Sequence, residues 1–280
     1  MKKQMIGLFV GLMIAAVGVA AVAGQNERLY HIEGETAVPL SDAVSPLMQN
    51  RIILVGEHHT SVEHHENQLA VIRALHEAGA DVAVGMEMFR SDSQPALDAW
   101  VAGKMAEEDF VRFYYDNWNY EWELYAPILR FARENRIPVK GLNVSRQITS
   151  QVARHGFQSL TEEQRGKLKD VACRVDQTYM EFIKRAYGAH AHGNLNFTYF
   201  CEAQLVWDNI MAINAIDFVE ENPDHVLVIV TGNGHAWKGG IPSQIAARSE
   251  MPVTVILPEI AGVTEPAMVD TDDADYLFLK

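Results

Sequence analysis

The segment Ile52-Ile53-Leu54-Val55-Gly56-Glu57-His58-His59 sets the reading of the whole chain. Four large aliphatic residues, three of them β-branched, run without a polar break. That is the pattern of a short strand buried on both faces of a parallel sheet. A glycine comes next, then at once a carboxylate and two imidazoles. Similar apolar runs occur at 82–86, 226–230 and 253–257, and a weaker one at 137–142 is entered through Pro138. Helical patterns lie between them. Thr60-Ser61-Val62-Glu63 reads as a capping box opening a helix that Gly79 stops. Residues 95–103 and 106–116 read as short helices, and Pro127 as part of the first turn of another that ends near Asn135. Alternating strand and helix predicts an α/β fold: a mostly parallel sheet flanked by helices, with right-handed crossovers.

Residues 144–222 break the alternation. Thr161-Glu162-Glu163-Gln164 is a second capping box, expected to open one long helix to about Tyr187. A polar loop over 188–198 precedes a helix from about Tyr199 to Glu221. This stretch reads as a smaller helical insertion in one domain spanning 24–280, whose α/β core covers about 45–143 and 223–260. The acidic run from Asp270 to Asp275 reads as a solvated tail.

The 280 residues are 48% hydrophobic and 21% charged, a globular composition that excludes a disordered, collagen-like or polytopic membrane chain. The net charge of −14, with no Lys/Arg run, excludes nucleic acid as a partner class. Met1-Lys2-Lys3, an apolar stretch from Met5 to Ala20, and Ala21-Val22-Ala23 before Gly24 have the order of a cleaved signal peptide over 1–23. A retained anchor is the alternative; the alanine-rich end favours cleavage and an exported, periplasmic or secreted protein. No lipobox cysteine comes after the segment. The two cysteines, Cys173 and Cys201, both fall in helical patterns, and the sequence leaves their pairing open.

The chemistry lies at the strand ends. Glu57, His58 and His59 come directly after the first strand, Glu87 after the second, and Asn143 and Arg146 after the 137–142 run. Thr231-Gly232-Asn233-Gly234-His235 closes the 226–230 run. The carboxyl ends of parallel strands share the edge where ligands bind, so Glu57, His59, Glu87 and His235 are expected to converge there. Glu87 pairing only with Arg146, or capping the next helix, is the alternative. In an extended chain His58 and His59 point opposite ways, which favours His59 as the one facing the site. His64 and His65 share a helix with Gln68; they either face a metal or a carbonyl, or orient His59 and Glu57. Gln204 and Asp208, at i and i+4, point at a polar cavity or, by preference, at solvent. Tyr114, Tyr115, Trp118, Tyr120, Trp122 and Tyr125 read first as packing, and second as a groove for a flat apolar ligand.

These motifs resemble, in order and over roughly residues 50–245, the ChaN-like family of haem-binding uptake proteins in the wider Tiki superfamily. The resemblance is carried by Gly56 to His59 with His64, His65 and Gln68, by Gly85 to Phe89, Trp118 to Trp122, and Tyr125 to Ala132. Asn143 to Arg146, Gln204 to Asp208 with Met211-Ala212, and Gly232 to His235 with Ile241-Pro242 complete it. It implies a parallel α/β domain with a smaller helical part, and haem binding at a bacterial envelope. Glu57, His59, Glu87 and His235 match the superfamily's active-site pattern; His64, His65 and Gln68 match the narrower family. His58 stands where relatives are expected to carry a lysine or similar residue, a departure that bears on the site. No motif carries the axial ligand, for which Tyr187, His190, His192 and Tyr199 are candidates.

The residues support three readings. In the first the chain binds haem for an uptake system, with haem ligation separate from the polar rim. In the second it is a hydrolase of the peptidase or esterase type. His59 and His235 there hold a divalent metal ion while Glu57 or Glu87 activates water, or His59 acts as the base without metal. In the third a binding protein keeps an ancestral site without turnover. The expected partners are haem or another small molecule, envelope haem-uptake components and a second copy of the chain.

Overall fold

The computed structural model describes residues 27–168, 171, 173–187 and 196–280; the leader segment, His190 and His192 lie outside the described residues. The core strands are β3 (Ile52–Glu57), β4 (Val82–Arg90), β5 (Val139–Asn143), β6 (Val226–Gly232) and β7 (Val253–Pro258). They form where the apolar runs predict, each extended toward its carboxyl end. β1 (Arg28–His31), β2 (Thr36–Pro39) and β8 (Tyr276–Phe278) complete one eight-stranded sheet in the order β2-β1-β8-β7-β3-β6-β4-β5. From β8 to β5 every pairing is parallel, while β1 runs antiparallel to both β2 and β8.

Alternate strand residues feed two cores. Ile53, Val55, Val226, Val228 and Val230 pack with α1 (Leu40–Leu47), α2 (Val62–Glu77), α3 (Gln94–Val101), α4 (Glu107–Asn117) and α5 (Trp122–Asn135). Ile52, Leu54, Leu227 and Ile229 pack on the other face. Between β5 and β6 come α6 (Arg146–His155), α7 (Glu162–Gly166), α8 (Gln177–Tyr187) and α9 (Phe197–Glu221); α10 (Asn233–Ala236) and α11 (Ile241–Ala246) come after β6. α9 and α11 cover the second face of the sheet through Ile210, Met211, Ala215, Ile241 and Ile245. No helix among the described residues is long and apolar enough to cross a membrane.

Four local expectations are corrected. The helix expected from 161 to 187 is two, α7 and α8. Thr161 and Gln164 do form the capping box, but Gly166 ends that helix and Asp176 caps a new one, accepting from Tyr179 N at 2.8 Å. α2 is capped by Ser61, which accepts from His64 N, and not by Thr60; Gly79, at φ 87°, closes its other end. α5 starts at Trp122, so Pro127 lies inside it. Burial of Trp122 against Trp100, Phe110 and Tyr114 outweighs the proline's helix-breaking tendency. The acidic run is no solvated tail: Asp273 is 6% exposed and clasps Arg185, while Asp275 accepts from Val255 N and pairs with Lys238.

Candidate functional site

β6 lies between β3 and β4, so strand ends far apart in sequence open onto one space. Glu57 ends β3, Glu87 lies in β4, Gly232 ends β6, and His235 sits in α10 immediately after. Gly232 is the point where they meet. A Cβ there would come within 2.9 Å of His59 Cε1 and 3.5 Å of Glu87 Oε2, so only glycine leaves room for both.

On the β3 side the chain turns after Glu57, Ser61 N donating to His58 O at 2.7 Å. The turn removes the alternation expected of an extended chain. His59 reaches the site and His58 stays exposed, yet both line the same cavity. His59 Nδ1 lies 2.5 Å from Glu57 Oε1, and Tyr125 OH donates to the same oxygen at 3.1 Å. Glu57 Oε2 is buried without a hydrogen bond among the described residues, with His65 Nε2 3.9 Å away. His65 Nδ1 meets Gln68 Oε1 at 3.1 Å and its Nε2 meets His59 O at 3.3 Å. Gln68 Nε2 donates to Val55 O, and His58 N donates to His64 Nδ1 at 2.9 Å. His64, His65 and Gln68 thus hold the backbone that carries His59.

On the β6 side His235 Nδ1 lies 2.6 Å from Asp208 Oδ1, and Tyr179 OH donates to Asp208 Oδ2 at 2.6 Å. Glu87 Oε2 accepts from Thr231 Oγ1 and Gly232 N, each at 2.7 Å, and its Oε1 stands 3.9 Å from His235 Nε2. Asn143 Nδ2 donates to the Glu87 carbonyl at 2.9 Å. Glu87 therefore pairs with Thr231, Gly232 and His235, and neither pairs with Arg146 nor caps a helix.

Burial works against charge throughout this site. At His59, Glu87 and His235 the neighbours prevail, whereas burial raises Asp208 against the charge of His235 and the hydrogen bonds from His235 and Tyr179. Against its desolvation, His59 is raised to about 9 by its hydrogen bond to Glu57 and the charges of Glu87 and Glu57. Burial would raise Glu87, but His235, His59 and the bonds from Gly232 and Thr231 hold it below the usual carboxylate range. His235 is raised against burial by Glu87 and Asp208. His64 is the reverse case: burial first, then the charges of His58, His65 and Lys280, lower it to about 4.

A carboxylate on Nδ1 orients an imidazole and leaves Nε2 for proton transfer. Two such units flank Glu87, and Glu87 Oε1 and His235 Nε2, 3.9 Å apart, can share a water bound to one side of both. Among the described residues no group of three or more His, Cys, Asp or Glu is placed to hold a metal ion. The expected His59/His235 pair keeps both Nε2 atoms open, since each ring is held at Nδ1 by its own carboxylate.

The site floors a cavity of about 900 Å³, the size of a small-molecule or cofactor site. Trp118, Tyr120, Trp207, Ile260 and Val263 form apolar wall, and Arg90, Arg146 and Arg185 bring positive charge. Gln204 lines the cavity while only 4% exposed, and Asp208 is 1% exposed. Spacing favours solvent for both; α9 instead runs beneath the site. Trp118 and Tyr120 touch the His59 ring, whereas Tyr114, Trp122 and Tyr125 are core. Tyr187 ends α8, beside the cavity-lining Ala186. Tyr199 is no part of the lining: its ring packs at Gly156, where a Cβ would meet Tyr199 Cε1 at 2.8 Å. Sequence reasoning does not single out Tyr179, Thr231, Trp207 or Arg185; of these only Trp207, one turn from Gln204, carries a spacing signal. Cys173 and Cys201 are free thiols, each raised by burial.

The sequence matches, over residues 43–245, a family described as haem-binding uptake, Tiki superfamily, ChaN. Comparison with curated proteins finds no significant match. Among solved structures the chain is similar to ChaN of Campylobacter jejuni, described with cofacial haem binding, at 18% identity and a TM-score of 0.69 over 90% of this chain and 96% of that one. It is similar to an erythromycin esterase mutant in its open conformation at 15% identity and a TM-score of 0.50, over 78% of this chain and 72% of that one. A succinoglycan biosynthesis protein aligns at 10% identity and a TM-score of 0.51, over 86% of this chain and 91% of that one. At these identities the likeness is one of fold.

Proposed function

The chain belongs to the ChaN family of haem-binding uptake proteins within the Tiki superfamily, and from that premise we propose that it binds haem in the cavity above the Glu/His floor. The observation that carries this is the lining itself. A haem needs apolar faces for the macrocycle, cations for its propionates and an axial donor. Trp118, Tyr120 and Trp207 supply the first, and the second comes from the arginines of the lining, of which Arg90 and Arg185 are ion-paired with Asp92 and Asp273. The donor candidates that the sequence offers are Tyr187, His190 and His192; Tyr199, packed at Gly156, is set aside. When bound, the haem would supply its iron, and the part of Trp118, Tyr120, Trp207 and the lining arginines would be to hold and orient it. Titration of haemin into the purified protein should give a saturable Soret change. His59→Ala and His235→Ala should leave that band largely intact, while removal of the axial donor should shift or abolish it. A protein that gives no saturable Soret change ends this reading.

The same reading places the mature protein outside the cytoplasm, starting near Gly24, working with envelope haem-uptake components and with a second copy of itself. Mass spectrometry of the exported protein checks the start; an intact Met1 or a lipid adduct would overturn it.

A hydrolase is the second reading, and the two carboxylate-oriented imidazoles support it. Glu87 Oε1 takes the proton of a water bound beside it and His235 Nε2. His59, cationic at neutral pH through Glu57 and Glu87, donates toward the leaving group or the developing oxyanion. Glu57 positions His59 and does not itself activate the water. Hydrolysis of ester or amide substrates by the metal-stripped protein, lost in Glu87→Gln, would establish it; full activity in Glu87→Gln would remove Glu87 from it.

A further inference from the structure

Most charged side chains around the cavity already have partners. Glu57 pairs with His59 and Glu87 with His235. Arg185 holds both carboxylate oxygens of Asp273 at 2.7 Å, and Arg90 holds Asp92 at 3.0 Å. Asp116 sits at the mouth beside Arg90, whose guanidinium donates to its carbonyl. Arg146 is the cavity cation with no carboxylate partner among the described residues. It opens α6, where the helix dipole adds to its positive field.

A second, independent feature lines the same cavity. Gln204 is 4% exposed, lines the cavity, and its Oε1 is buried with no hydrogen bond among the described residues. A buried amide left unpaired costs free energy unless a ligand group meets it. Oε1 is the enclosed atom of this amide and Nε2 is not, so the side that a ligand in the cavity meets is the donor. α6 packs on α9 through Ile148 and Val152 against Ala203 and Val206, and the two helices bring Arg146 and Gln204 to the lining of one cavity.

We infer that Arg146 and Gln204 form a carboxylate-recognition subsite, the guanidinium gripping the anion and the amide donating to it. The inference rests on the haem reading, in which the carboxylate is a propionate; a free carboxylate substrate is the other source of the same chemistry. It makes the ligand's acid groups, and not only its flat apolar body, a determinant of affinity.

The experiment compares haemin with haemin dimethyl ester, which keeps iron and macrocycle but carries no anion, by Soret titration of the full chain. The wild type should bind haemin about tenfold or more tightly than the ester, the change that one charge-assisted contact makes. Arg146→Gln should erase most of that preference while holding the ester's affinity, which also shows that the variant is folded. Equal affinity of the wild type for the two porphyrins, or a preference that Arg146→Gln keeps, overturns the subsite and leaves the haem reading standing. If neither porphyrin binds, the haem reading fails, and sodium propionate is titrated against the fluorescence of Trp118 and Trp207. Saturable quenching in the wild type that Arg146→Gln abolishes then supports the subsite with a free carboxylate. Quenching that is absent, or unchanged in the variant, overturns it.

Discussion

Acidification below pH 6.5 should weaken this fold through His64. Its ring is 6% exposed, and its Nδ1 accepts the His58 N–H at 2.9 Å. Protonation would turn that acceptor into a donor facing a donor. Burial, joined by the charges of His58, His65 and Lys280, lowers its pKa from 6.5 to about 4. Above 6.5 neither the folded nor the unfolded chain carries the proton, and the group is silent. As pH falls from 6.5 toward 4 the unfolded chain takes a proton that the folded chain refuses, so stability is lost through that window and levels off below it. At about 1.4 kcal/mol per pKa unit, the full loss is about 3 kcal/mol. His59 acts on the other side: its raised pKa stabilises the fold below 6.5, and that contribution fades as pH rises toward 9. The two windows meet near pH 6.5, where stability should peak. Urea unfolding across this range, in the wild type and in His64→Asn, measures the effect, since the asparagine oxygen can replace Nδ1 as acceptor. The variant should lose about 3 kcal/mol less between the two ends of the acid window. A variant that falls as steeply as the wild type would refute the assignment.

Gly232→Ala should destabilise by about 1–3 kcal/mol through overpacking and displace His59, seen together in urea melts and in the His59 imidazole NMR signals; an unmoved His59 would contradict the close approach. Asp208→Asn should lower the pKa of His235, because it removes one of the two charges that raise it, and NMR titration of the ring would show no change only if Glu87 alone sets it. Asp273→Asn should cost about 2 kcal/mol by loosening the paired hydrogen bonds to Arg185, read as a lower urea midpoint at unchanged slope.

The core strands are legible in the sequence because burial on both faces leaves an apolar signal that survives without context. The edge strands are not. β1, β2 and β8 are three or four residues long with mixed burial, so neither alternation nor a continuous run marks them. The acidic run before β8 reads as solvated because its partners, Arg185 and Lys238, lie far off in sequence. The convergence of Glu57, His59, Glu87 and His235 comes from strand ends sharing an edge, a property of topology that spacing can report. The inward turn of Gln204 and Asp208 is beyond spacing, because an apolar helix with two polar residues reads alike whether they face water or a polar cavity. Tyr179 carries no signal; it matters only because α8 packs where its hydroxyl reaches Asp208.

That contact changes how the helical segment is understood. An α/β sheet with β6 between β3 and β4 brings Glu57, His59, Glu87 and His235 together unaided, but leaves His235 buried without a counter-charge on Nδ1. Asp208 supplies it from α9, Tyr179 anchors Asp208 from α8, and Arg146 and Gln204 reach the same cavity from α6 and α9. A buried imidazole without its carboxylate would lose its fixed orientation and its raised pKa. The sheet therefore fixes where the chemistry gathers, and the helices between β5 and β6 fix its protonation and the charge of the ligand it can accept. Substitutions in those helices should alter the ligand's recognition without disturbing the strands, so the helical segment belongs to the site as fully as the sheet edge does.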